Sequence, residues 1–124
     1  MKKLLLIDDD MDEAELFSEA LETIGKDYEF TSFNNGQEAL QYISRSNTLP
    51  DFIFLDLNMP MLSGKEILRR LRDTTSGSGI PVIIYSTSIT DIDRKETSEY
   101  EVTDYLQKPE TFEVLCIKLK NIIK

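Results

Sequence analysis

The chain has 124 residues, 40% hydrophobic and 30% charged, and carries a formal net charge of -9, which fits one globular domain and argues against a nucleic-acid surface, since such surfaces use Lys and Arg to neutralise phosphates. One cysteine excludes an internal disulfide and a multi-cysteine metal site; His 0 removes the commonest catalytic base, the commonest zinc ligand and any phosphohistidine of its own. Acid follows the opening "MKKLLLI" too early for a signal peptide and no stretch approaches transmembrane length, so a cytoplasmic chain without membrane contact is expected.

Residues 4–7 (LLLI) form the first of three near-continuous apolar runs, the pattern of a strand buried on both faces of a parallel sheet. Asp8, Asp9 and Asp10 follow at once, and then Ala14, Phe17, Ala20, Leu21 and Ile24 make a helical stripe that Gly25 is placed to end. Residues 28–33 (YEFTSF) are mixed and suit an edge strand, and Ala39, Leu40 and Ile43 mark a second helix behind "NNG". The second apolar run, residues 52–55 (FIFL), leads into Asp56. Gly64 precedes a third helix carrying Ile67, Leu68 and Leu71, which fades into the loop "TTSGSG". The third apolar run, residues 82–85 (VIIY), leads into Ser86 and Thr87.

Residues 88–100 hold only Ile89, Ile92 and Tyr100 to anchor a helix, so its docking is expected to be weak and its position sensitive to the state of the site. Residues 102–107 (VTDYLQ) suit the other edge strand and run into Lys108 and Pro109. In the last helix Phe112, Leu115, Cys116, Leu119, Ile122 and Ile123 share one face, which makes Cys116 a buried, inert thiol. Val114 and Ile117 lie off that face and mark a partner or homodimer contact.

Five alternations of strand and helix specify an α/β domain with right-handed crossovers. With the mixed strands at the edges, the flavodoxin-like order 2-1-3-4-5 follows, and the site is expected outside the carboxyl ends of the strands. Asp8, Asp9, Asp56, Ser86, Thr87 and Lys108 all stand there. Like charges about 5 Å apart at an effective dielectric near 20 repel by roughly 3 kcal/mol. A hard divalent cation such as Mg²⁺, held by carboxylates, a carbonyl and retained waters, offsets that cost. Asp10 is better read as the cap of the first helix.

"IDDD" after the first strand, "DLNMP" with Gly64 shortly after, Ser86 after the fourth strand and "KP" after the fifth together resemble the receiver domain of bacterial two-component response regulators, over essentially the whole chain. Within that family it resembles the stand-alone, chemotaxis-regulator-like members. The resemblance implies that Asp56 is the phosphoacceptor, that Asp8 and Asp9 with Asp56 and the Asn58 carbonyl hold Mg²⁺ or Mn²⁺, and that Lys108 contacts the phosphoryl oxygens. It also implies a switch formed by Ser86 and Tyr105, and a cis peptide between Lys108 and Pro109. The donor is then a histidine kinase or histidine phosphotransfer protein, and the output an unknown downstream protein, because residues 1–124 are read as one receiver domain without an output domain. Two alternatives stand beside this: a magnesium-dependent phosphatase or phosphotransferase of small molecules, and a degenerate receiver acting only as an interaction module. Ser63 replaces the usual Asp or Asn of the family, and Glu101 and Val102 replace Gly and Ala, which bears on the entry to strand five.

Overall fold

The computed structural model describes residues 2–25 and 27–123. Strand and helix alternate through β1 (Lys2–Ile7), α1 (Met11–Thr23), β2 (Tyr28–Phe33), α2 (Gly36–Arg45), β3 (Phe52–Leu55), α3 (Gly64–Asp73), β4 (Val82–Ser86), α4 (Asp91–Ser98), β5 (Asp104–Gln107) and α5 (Phe112–Ile123). All strand pairs are parallel and the sheet runs β2-β1-β3-β4-β5, the order expected from the sequence.

Successive strand residues face opposite sides, so each apolar run feeds two cores. Leu5, Ile7, Ile53, Leu55, Val82 and Ile84 pack with Ile43 of α2 and Ile67, Leu68 and Leu71 of α3. Leu4, Leu6, Phe54, Ile83 and Tyr85 pack with Phe17 and Leu21 of α1 and Leu115 and Leu119 of α5. Burying both faces of β1, β3 and β4 is what requires these runs to be continuous rather than alternating.

Local chemistry sets the helix starts. Asp10 accepts from the Asp12 N–H, Asn35 from Gln37 and Glu38, and Ser63 from Glu66, so Ser63 serves as the cap of α3. Thr90 and Asp93 form a reciprocal capping box on α4. Gly25, at φ +74°, ends α1 in the left-handed conformation glycine tolerates.

Three expectations need correction. Cys116 is half-buried rather than buried. No cis peptide occurs among the described residues, so the Lys108–Pro109 bond is trans, the state X-Pro bonds favour by about 0.5–1 kcal/mol. The Lys108 N–H remains on the Ser86 carbonyl at 2.8 Å, which carries the β5 ladder straight to the proline. Strand β5 also begins at Asp104 rather than Val102, because Glu101 takes φ +57° and turns the backbone just ahead of it. Arg72 secures this turn: its guanidinium donates to the carbonyls of Tyr100 (2.8 Å), Glu101 (3.1 Å), Gly77 (2.9 Å) and Ile80 (2.8 Å).

Candidate functional site

The registers Ile7↔Leu55 and Leu55↔Ile84 bring three strands to a common end. Asp8 and Asp56 are the next residues of β1 and β3, and the Asp56 N–H still donates to the Ile7 carbonyl at 3.0 Å, so the two side chains emerge as neighbours. Asp8 is 2% exposed, Asp56 5% and Ser86 0%, whereas Asp9 is exposed at the rim. One carboxylate oxygen from each of Asp8, Asp9 and Asp56 lies within 4.8 Å of the others.

Asp56 is held in a fixed orientation. Its Oδ1 accepts from Ser86 Oγ at 3.0 Å and from the Asn58 N–H at 3.2 Å, while Asn58 Nδ2 donates to Ser86 Oγ at 3.3 Å. Its Oδ2 lies 3.6 Å from Lys108 Nζ. Gly64 makes this loop possible by packing, not by an unusual φ: its N–H donates to the Leu57 carbonyl at 3.0 Å, and a Cβ there would collide with the Asp56 carbonyl and sit 2.6 Å from Leu57 Cα. The loop's left-handed residue is instead Met61, at φ +66° and 99% exposed.

Asp8 is the strained member electrostatically. Oδ1 accepts from the Asp10 N–H at 2.9 Å. Lys108 Nζ stands 2.7 Å from Oδ2, but the approach lies outside hydrogen-bond geometry, leaving Oδ2 a buried oxygen without a directed donor. Burial pushes the Asp8 carboxyl up to about 6, and Lys108 and the Asp10 N–H only partly oppose it. Burial pulls Lys108 down, but Asp8, and by charge Asp56 and Glu13, outweigh it and hold the ammonium above its ordinary value. Asp8 and Asp56 thus share one ammonium, with Glu13 adding negative charge.

This donor set fits a hard cation. Oxygen ligands at about 2.0–2.1 Å place opposite ligands about 4.2 Å apart, close to the span of the three carboxylates, and Asp8 Oδ2, which has no hydrogen-bond donor, faces only one ammonium that it shares with Asp56.

The structure therefore gathers Asp8, Asp9, Asp56, Asn58, Ser86 and Lys108, and keeps Tyr105 apart. The Tyr105 hydroxyl lies 2.7 Å from Thr97 Oγ1 of α4, and the Arg94 guanidinium stands 4.6 Å from its ring centroid. Two neighbours of the site escaped the sequence reading. Tyr85 is 1% exposed and donates its hydroxyl to Glu13 Oε2 at 3.1 Å, and Lys108 Nζ lies 5.6 Å from its ring centroid. The available signal was a tyrosine closing an otherwise aliphatic buried run, since a buried phenol calls for a polar partner.

Residues 4–120 match the response regulator receiver domain family. The chain is 40% identical over all of its 124 residues to the transcriptional regulatory protein CpxR homolog of Haemophilus influenzae, of which it spans 51%. The phosphorylated cyanobacterial phytochrome response regulator RcpA superposes with a TM-score of 0.88 at 30% identity, over 98% of this chain and 90% of that one. The Mn²⁺-bound form of the response regulator Rcp1, a protein of Synechocystis, superposes with a TM-score of 0.85 at 28% identity, over 98% and 91%. Receiver domains bind Mg²⁺ or Mn²⁺ and act as signalling proteins rather than classical enzymes. With the fold, the acidic strand ends and the sequence match in agreement, the chain belongs to the response regulator receiver domain family of two-component signalling.

Proposed function

We propose that this chain is a phosphorylation switch or relay that accepts a phosphoryl group on Asp56 from a histidine kinase or histidine phosphotransfer protein, and loses it by hydrolysis. One observation carries this reading: the Asp56 carboxylate is nearly buried, fixed at Oδ1 by Ser86 and Asn58, and flanked at Oδ2 by Lys108. Transfer forms a bond from an Asp56 oxygen to phosphorus as the P–N bond to the donor imidazole breaks, its electron pair staying on the ring nitrogen. Hydrolysis then places water on phosphorus, releases inorganic phosphate and restores the carboxylate.

Lys108 stands where an ammonium would neutralise the phosphoryl oxygens, and the Ser86 hydroxyl is placed to turn from Asp56 to one of them. Asp8, Asp9, Asp56 and the Asn58 carbonyl would hold Mg²⁺ or Mn²⁺, which supplies charge neutralisation for the oxygens in transit. Tyr105, tied to α4 through Thr97, would pass the change at Ser86 to that helix. The output is a downstream protein in the cytoplasm, with Val114 and Ile117, 41% and 58% exposed, as a partner or homodimer contact. A small-molecule phosphatase is disfavoured, since Asn58 stands two positions after Asp56 where a second acid would act as acid/base.

Incubation with Mg²⁺ and a small acyl-phosphate donor, followed by intact mass and peptide mapping, tests the proposal. The expected result is one labile phosphoryl group on Asp56, absent with EDTA and absent from Asp56→Asn. Modification elsewhere, or none, overturns it.

A further inference from the structure

Lysine is a flexible point charge, and holding its ammonium in one place requires walls as well as counter-ions. The main chain of Lys108 is pinned to Ser86, and its Nζ faces Asp8 Oδ2 at 2.7 Å and Asp56 Oδ2 at 3.6 Å. Another side is closed by the ring of Tyr85, whose centroid lies 5.6 Å from Nζ. That ring is itself immobilised. It packs edge-on against Phe17 and Phe54, with centroids 5.7 and 6.4 Å away, and its hydroxyl is anchored on Glu13 Oε2 at 3.1 Å. Burial and the Glu13 charge raise the tyrosine pKa, so the phenol keeps its proton and remains the donor of that bond. Glu13 also adds negative charge behind the ammonium. The chain thus has a continuous brace from α1 through a buried aromatic ring to the ammonium at the phosphoacceptor.

We propose that Tyr85, braced by Glu13, is a positioning residue for Lys108 and thereby sets the rate of phosphoryl transfer to Asp56, a statement that rests on the phosphoacceptor reading above. A ring face attracts an ammonium and prevents its retreat from the site. Removing the wall lets Nζ sample positions away from the transferring oxygens, which slows the reaction without changing the metal ligands.

The test measures phosphorylation of the full chain at saturating acyl phosphate and Mg²⁺. Tyr85→Leu should lower the maximal rate about five-fold, with the half-saturating Mg²⁺ concentration unchanged, and Tyr85→Phe, which keeps the ring, should stay within about two-fold of wild type. In a Lys108→Ala background Tyr85→Leu should have no further effect, because the interaction it removes is already gone. An equal loss in both backgrounds, or no loss in either, overturns the proposal. Should the leucine variant fail to fold, Glu13→Gln carries the same comparison, with a loss of about two-fold that vanishes without Lys108. A wild-type chain that takes up no phosphoryl group overturns the phosphoacceptor reading instead, and mass measurement on the wild type alone distinguishes that outcome.

Discussion

Asp8→Asn tests how the acidic pocket is balanced. Burial lifts the Asp8 carboxyl from 3.8 to about 6 despite Lys108 and the Asp10 N–H. An acid whose folded value exceeds its unfolded one binds more protons in the folded state, so its ionisation lowers stability as pH rises. The cost is absent below about pH 4 and complete above about pH 6. At about 1.36 kcal/mol per pH unit this amounts to roughly 3 kcal/mol. The amide keeps the shape and removes the charge. In urea unfolding with EDTA, the variant should exceed wild type by roughly 3 kcal/mol near pH 8 and equal it near pH 4. Added Mg²⁺ should then stabilise wild type more than the variant, since only wild type offers the full set of anionic ligands. A variant no more stable than wild type at alkaline pH, or a difference unchanged between the two pH values, refutes the burial argument.

Gly64→Ala should lose about 2 kcal/mol in thermal or urea unfolding and phosphorylate poorly, because the Cβ must displace backbone beneath Asp56. Arg72→Met leaves five carbonyls without their charged donor and should lower stability by about 2–3 kcal/mol in the same assay, with little effect on phosphorylation. Amides of α4 should exchange faster than those of α1, and Tyr105→Phe should speed them further by about five-fold through loss of the Thr97 contact. Equal exchange in the two helices would count against a weakly docked α4.

The central strands were readable because burial on two faces leaves little choice of residue: LLLI, FIFL and VIIY could hardly face water. The place of Asp56 in the acidic pocket was readable for a related reason, since an acid directly after such a run must emerge at the carboxyl end of a buried strand. The trans Lys108–Pro109 bond was missed because the sequence pair allows both isomers and the expectation of cis rested on the resemblance alone. Arg72 left no trace in the periodicity of α3, for its partners are loop carbonyls, of Gly77 and Ile80 just after the helix and of Tyr100 and Glu101 far along the chain. Tyr85 was absorbed into a hydrophobic run, and its bond to Glu13 joins residues 72 positions apart that share no local pattern. Glu101 shows the converse. Its place where the resemblance expects glycine marked the entry to β5, and Glu101 there takes a left-handed turn that glycine tolerates best, held by Arg72.

Helix α4 buries one residue, Thr97, and leaves Ile92 66% exposed. It is otherwise moored by Lys65 of α3, which reaches Asp93 at 2.8 Å and Glu96 at 3.0 Å, and by the hydroxyl contact with Tyr105. Solvent-facing ion pairs of this kind contribute about 0–1 kcal/mol each, and one hydroxyl contact about 1 kcal/mol. Moorings that light are commensurate with what a chemical signal can deliver, since couplings between sites commonly run to about 1–3 kcal/mol. The same input spent on β1 or β3, sealed between two cores, would leave their populations almost untouched.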